Sequence, residues 1–184
     1  MNKISPGGFT LAEMLITISI LGIVAIVAIP LLSPNEPQRL AVAAEESANL
    51  LRFALSEAAR SGGYVLVDGK TTAGHLKLYY SNANADLPPA AGTSAVNDPL
   101  TKLATDLNVT GSAFSSGVTL TPQFKAGGNT YQQLLIGPGT SQLQVFDGSL
   151  NKGALQAASG ILLNYGTQSV TVSINEVTGR VTLP

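Results

Sequence analysis

The chain has 184 residues, room for one modest folded domain beside an extended segment. Apolar residues make up 45% of it but charged residues only 11% and aromatics 5%, so it can build a core while its surface rests on uncharged polar side chains. Ten basic against eleven acidic side chains leave a net charge of −1, which gives no field to recruit nucleic acid or an anionic membrane. The lack of cysteine excludes a disulfide, a thiolate metal site and a cysteine nucleophile, and the single His75 excludes a histidine cluster, so neither metal nor cofactor is expected.

Residues 1–8 are short and polar and carry Lys3. Phe9 to Leu32 is an apolar stretch of 24 residues, with no charge from Met14 to Leu32. As a helix it would extend about 36 Å, against roughly 30 Å for the hydrocarbon core of a bilayer. Lys3 places its start on the cytoplasmic side. A cleaved secretory signal would need small residues just before a cut past the apolar run, and Val27-Ala28-Ile29-Pro30 offers none; Glu13 also interrupts the run. A plain signal anchor accounts for the length but not for Glu13.

Pro30, Pro34 and Pro37 predict a bend or break. Ser33 with Pro34 and Glu36, or Asn35, reads as the cap of a second helix. Residues 33–61 form an amphipathic stem, with Leu40, Ala44, Ser47, Leu51, Ala54, Leu55 and Ala58 on one stripe and Ser61-Gly62-Gly63 as the stop.

From residue 62 to 184 the pattern is that of strands. Tyr64–Val67 and His75–Tyr80 are expected to pair as a hairpin. Further runs are Val118–Thr121, Tyr131–Ile136, Gln142–Phe146, Ile161–Tyr165, Val170–Ile174 and Val181–Leu183, several alternating with a period of two, as in antiparallel sheets wet on one face. Turn signals fall at 126–129, 137–139, 147–148, 151–153 and 178–179. Residues 81–99 read as a long loop, and Leu100, Leu103 and Leu107 as one short helix. The expected fold is α+β: a long amino-terminal helix, half membrane-spanning and half amphipathic, packed on a small antiparallel sheet domain.

The stretch Gly8-Phe9-Thr10-Leu11-Ala12-Glu13, ahead of an apolar run, resembles the class III signal of type IV pilins and type II secretion pseudopilins. The likeness covers residues 7–32. It implies a leader of residues 1–8, cut between Gly8 and Phe9 by a prepilin peptidase, and N-methylation of Phe9. It implies an assembly role for Glu13, whose carboxylate would pair in the fibre with the Phe9 amine of a neighbouring subunit. An acid in the middle of a membrane helix costs about 2.5–3.5 kcal/mol, less near the interface, so such a pair would favour one axial offset between otherwise greasy helices. Snorkelling of Glu13 to the interface is the bland alternative. Gly22 and Pro30 resemble helix-weakening positions of pilin stems; an ordinary membrane-helix glycine and a membrane-exit proline are the alternatives. The implied partners are the prepilin peptidase, other pilin or pseudopilin subunits, an inner-membrane assembly platform and membrane lipid. The implied place is a bacterial inner membrane, crossed once, with the globular domain in the periplasm and later in a pilus or pseudopilus.

Leu50–Val67 resembles the stem end and first strand of H-type minor pseudopilins and FimT-type minor pilins, and Val170–Leu183 resembles their last hairpin. A minor pilin or pseudopilin is the reading these support; a major fibre-forming pilin or a DNA-uptake minor pilin are the alternatives. DNA binders of the FimT type carry a Gly-Arg-x-Arg tail. Here the residues are Gly179-Arg180-Val181-Thr182, so only Arg180 remains as a DNA contact and nucleic acid is disfavoured as a partner. An enzyme is disfavoured too: Asp86, Asp98 and Asp106 lack calcium-loop spacing, no phosphate-binding loop follows a strand, and His75 reads as a solvent-side strand residue beside Lys77 and Tyr79.

Overall fold

A computed structural model describes residues 10–32, 36–139 and 142–184, leaving out the side chains from 27 to 36. The chain divides into two units, Met1–Asn35 and Glu36–Pro184. The first contains helix α1, Leu11–Leu32, which is apolar all round. The expected cap at Ser33 to Asn35 lies outside the described residues.

The second unit opens with α2, Glu36–Ser61, whose apolar residues gather on one face. Leu40, Ala43, Ala44, Ser47, Ala48, Leu51, Ala54 and Ala58 are buried, as the three-to-four spacing requires. Leu55 of the expected stripe is half-buried. The helix stops where Gly62 turns left-handed (φ 65°) and its N–H closes on the Ala58 carbonyl at 3.1 Å.

Among the described residues twelve strands follow: β1 Tyr64–Asp68, β2 His75–Ser81, β3 Ser94–Ala95, β4 Asp106–Asn108, β5 Thr119–Ala126, β6 Asn129–Tyr131, β7 Gln133–Ile136, β8 Leu143–Asp147, β9 Leu150–Ala154, β10 Ser159–Tyr165, β11 Gln168–Ile174 and β12 Val181–Thr182. One sheet runs β3-β2-β1-β7-β8-β9, with β4 also on the outer edge of β2; the other runs β12-β11-β10-β5-β6. Every strand pair is antiparallel. The α+β fold with an antiparallel sheet domain is therefore present, as two sheets rather than one.

The main core lies where the buried face of α2 meets inward side chains of both sheets, among them Val65, Val67, Leu78, Leu134, Val145, Ile161, Leu163 and Val172. Burying one such Leu or Ile side chain contributes about 1.5–3 kcal/mol. A second cluster, Leu66, Leu135 and Phe146 with Ala85, lies on the far face of the first sheet. The segment bearing Ala85 and Leu87 covers that face, so β1 and β7 are buried on both sides. This explains their unbroken apolar runs, Val65-Leu66-Val67 and Leu134-Leu135-Ile136.

Four local expectations fail. The leucines at 100, 103 and 107 form no helix. Leu100 and Leu103 are 88% and 70% exposed, and the chain folds into a tight loop closed by Asp98 N–H to Leu103 C=O at 2.8 Å. The left-handed Lys102 (φ 61°) is incompatible with a continuing helix. Residues 81–99 contain β3. The run Tyr131–Ile136 is two strands, β6 in the second sheet and β7 in the first, changing sheets at Gln132, whose carbonyl accepts from Gly69 N–H at 3.0 Å. The turn expected at 151–153 lies inside β9, an edge strand with a bulge: Phe146 faces Asn151 and Val145 faces Gly153, leaving Lys152 over.

Candidate functional site

Gly8 and Phe9, the expected cleavage and methylation positions, lie outside the described residues. Immediately after them the backbone amide of Thr10 donates to Glu13 Oε2 at 2.8 Å, and the Thr10 hydroxyl donates to the same oxygen at 2.9 Å. The Glu13 amide donates back to Thr10 Oγ1 at 3.3 Å. This is a reciprocal capping box, in which a helix-start threonine and an acid three residues on satisfy each other's free amides. Glu13 thus has a local role that the apolar run around it did not suggest, although Thr-x-x-Glu was legible in the sequence. Among the described residues, the contacts of the Glu13 carboxylate are made through Oε2.

Every described side chain from Thr10 to Ile26 is exposed in the single chain, including Met14, Leu15, Ile18, Leu21 and Ile23. The two hydroxyls on the helix turn inward on its own backbone. Thr17 Oγ1 donates to the Glu13 carbonyl at 2.7 Å and Ser19 Oγ to the Leu15 carbonyl at 2.8 Å. Such back-bonding leaves no free hydroxyl donor on the apolar surface. The backbone of α1 is helical through both Gly22 and Pro30. A Cβ at Gly22 would meet nothing within 4 Å, so no packing within the chain calls for a glycine there. Among the described residues no helix is long and apolar enough to cross a membrane. The described side chains of α1 end at Ile26, about 24 Å from Leu11 at 1.5 Å per residue.

Residues 6–29 match the family described as the prokaryotic N-terminal methylation motif. The chain is type IV pilin-like at its amino terminus. The crystal structure of the type IV minor pilin FimU of Pseudomonas aeruginosa superposes with a TM-score of 0.48 at 16% identity, covering 81% of this chain and 90% of that one. No curated protein matches the chain.

In the second unit, Arg180 is exposed at the end of a turn capped by Asn175. Gly179 before it has φ 68°, so the turn needs glycine for its conformation, and a Cβ there would press on Leu55 Cδ2 at 3.1 Å. Sequence distance left Arg180 without a basic neighbour. The fold brings Arg52 of α2 to the same hairpin, its Nη2 3.5 Å from the Val181 carbonyl.

His75 pairs through Nδ1 with Asp106 Oδ1 at 2.8 Å, and Lys77 Nζ lies 3.8 Å from Asp106 Oδ2, so the His75/Lys77 face of β2 holds β4 through one carboxylate. Sequence reasoning missed a buried ionic group at the end of α2. Glu57, only 5% exposed, receives Arg60 Nε at 2.9 Å and Nη2 at 2.5 Å, and the Tyr80 hydroxyl as well. The Arg60 hydrogen bonds hold the Glu57 carboxyl below the usual range, against desolvation and with help from Tyr80. The Tyr80 phenol is raised, first by its bond to Glu57 and then by burial. Glu57 sits on the buried stripe, and only its spacing to Arg60 hinted at the pair.

Proposed function

We propose that this chain is a structural subunit, a minor pilin or pseudopilin, cut after Gly8, methylated on Phe9, held by its first helix in a bacterial inner membrane and assembled into a fibre through that helix. The methylation motif at residues 6–29 carries the reading. The chemistry of α1 supports it. A helix apolar on every side, with its hydroxyls bonded to its own backbone, suits a surrounding of lipid or of other such helices. Its helical backbone continues to Leu32, 22 residues or about 33 Å in length, and the sequence carries no charge from Met14 to Leu32. The globular unit would then stand in the periplasm, with the prepilin peptidase, an assembly platform and fellow subunits as partners. Glu13, fixed by Thr10 through one oxygen, keeps the other for the Phe9 amine of a neighbour. Such a subunit performs no catalysis.

Mass spectrometry of the mature protein tests this. The expected amino terminus is Phe9 carrying a methyl group. A mature chain beginning at Met1, or beyond Ala28, overturns it.

A further inference from the structure

Of the eleven asparagines in the chain, Asn108 alone has a serine or threonine two residues on. Asn108-Val109-Thr110 is thereby an Asn-x-Thr triplet without proline, the acceptor form for N-linked saccharide. Such triplets also arise by chance, and the geometry around this one is what gives it weight.

Asn108 ends β4, and the chain passes from it to an exposed turn at Thr110 and Gly111. The two polar atoms of its side chain are used differently. Oδ1 accepts from the Thr110 hydroxyl at 2.9 Å and from the Gly111 amide at 2.8 Å, which closes the turn. Nδ2 makes no hydrogen bond among the described residues, and it is not one of the buried atoms left without a partner, so it meets solvent. Gly111 keeps the space beside it clear: a Cβ there would stand 2.5 Å from Nδ2. The turn by itself asks only for Oδ1, and an aspartate would serve it equally. What asparagine adds is the free amide nitrogen. Asp106, two residues earlier, sets a carboxylate beside that nitrogen for an enzyme to grip.

We propose that Asn108 is an N-glycosylation site, its Nδ2 taking an oligosaccharide from a polyprenyl diphosphate carrier through a membrane oligosaccharyltransferase. The nitrogen attacks the anomeric carbon. The N–C bond forms as the C–O bond to the diphosphate breaks, the lipid diphosphate leaves with that electron pair, and one amide proton passes to a base of the enzyme; nothing is oxidised or reduced. In the product Oδ1 keeps both of its hydrogen bonds, so the turn survives the modification. Val109 is fully buried and Asp106 is tied to His75 and Lys77. The enzyme therefore takes the segment before β4 closes on β2, while the chain is leaving the membrane. The inference rests on the proposed export of the globular unit, since the acceptor and the lipid-borne donor must share one side of the membrane.

The test purifies the protein from the cells that make it naturally, digests it with trypsin and reads it by mass spectrometry with electron-transfer fragmentation, which leaves sugars on their side chains. The peptide of residues 103–125 is expected to carry saccharide on Asn108. Asn108→Asp keeps an acceptor for the turn and should lose the saccharide completely. Thr110→Val should lose it as well, and Thr110→Ser, which restores the hydroxyl, should retain it. A bare 103–125 peptide from the parent protein, or saccharide that survives in Asn108→Asp, overturns the inference. The same digest reads the amino terminus. A chain that begins at Phe9 with residues 103–125 bare refutes the glycan and leaves the proposed function standing, whereas a chain that begins at Met1 refutes that function whatever the peptide carries.

Discussion

The two helices are consecutive in the chain and similar in length, 22 and 26 residues, yet they meet opposite demands. In α2 the apolar residues occupy one face, and that face is covered by both sheets of its own chain. In α1 they occupy every face, and every described side chain of the helix is exposed. The polar residues follow the same division. Ser47 on the buried side of α2 bonds its own helix backbone at 2.7 Å, and Glu57 is matched by Arg60 and by Tyr80 from a distant strand. The hydrogen bonds made by the polar side chains at the start of α1, Thr10, Glu13, Thr17 and Ser19, all reach partners within four residues. A helix that completes itself on its own chain uses long-range partners. A helix surrounded by lipid would need to be self-sufficient in hydrogen bonds, because lipid offers none.

The sharpest way to break this contrast is to cut equivalent apolar side chains from both helices. Leu51→Ala removes a side chain with no exposure from the main core and should cost about 2–5 kcal/mol of unfolding free energy for the globular unit. Ile20→Ala in α1 should leave that unfolding transition where it is. Urea unfolding of the full chain in micelles, followed by near-ultraviolet circular dichroism of the tyrosines, separates the two. A matching loss in Ile20→Ala would show that the globular unit leans on α1 for its stability.

Glu57→Gln probes the long-range partner and should cost about 1–3 kcal/mol, since Tyr80 keeps an acceptor but the charged bonds from Arg60 are lost. The Arg60 side chain is 70% exposed, which holds the figure to the lower part of what a buried pair would give. The dependence on acidity has a definite sign. A carboxyl lowered in the folded state contributes fully above its unfolded value, about 4.3, and the contribution fades as pH falls through the lower folded value. The parent should therefore lose stability below about pH 4.3 more steeply than Glu57→Gln. Parallel curves would show that Glu57 is not held ionised by the fold.

The smallest effect on stability is expected at Glu13. Glu13→Ala removes the capping box and should loosen the first turn of α1, seen as faster amide exchange near Thr10. The unfolding midpoint of the globular unit should not move. Incorporation into fibres, in contrast, should be lost. Normal incorporation would leave Glu13 as a helix cap alone.

Much of this molecule could be read without coordinates, because its signals are local. The apolar run of α1, the stripe of α2 with its glycine stop, the hairpin of β1 and β2, and the alternation in β5 and β11 each depend on residues within about ten positions of one another. The capping box of Thr10 and Glu13 is equally local, carried by the Thr-x-x-Glu spacing. What remained hidden was choice of neighbour. A period of two says which side chains face inward but not which sheet a strand joins, so the passage from β6 to β7 at Gln132 could be settled only by where β1 and β5 already lay. Leucines at 100 and 103 carry helical spacing, yet the backbone bonds across the Asp98 loop decided their place on the surface. Tyr80 reaching Glu57, Arg52 reaching Val181, and Glu46 left without a donor are likewise products of packing, since each depends on segments brought together only when the two sheets close over the stem helix.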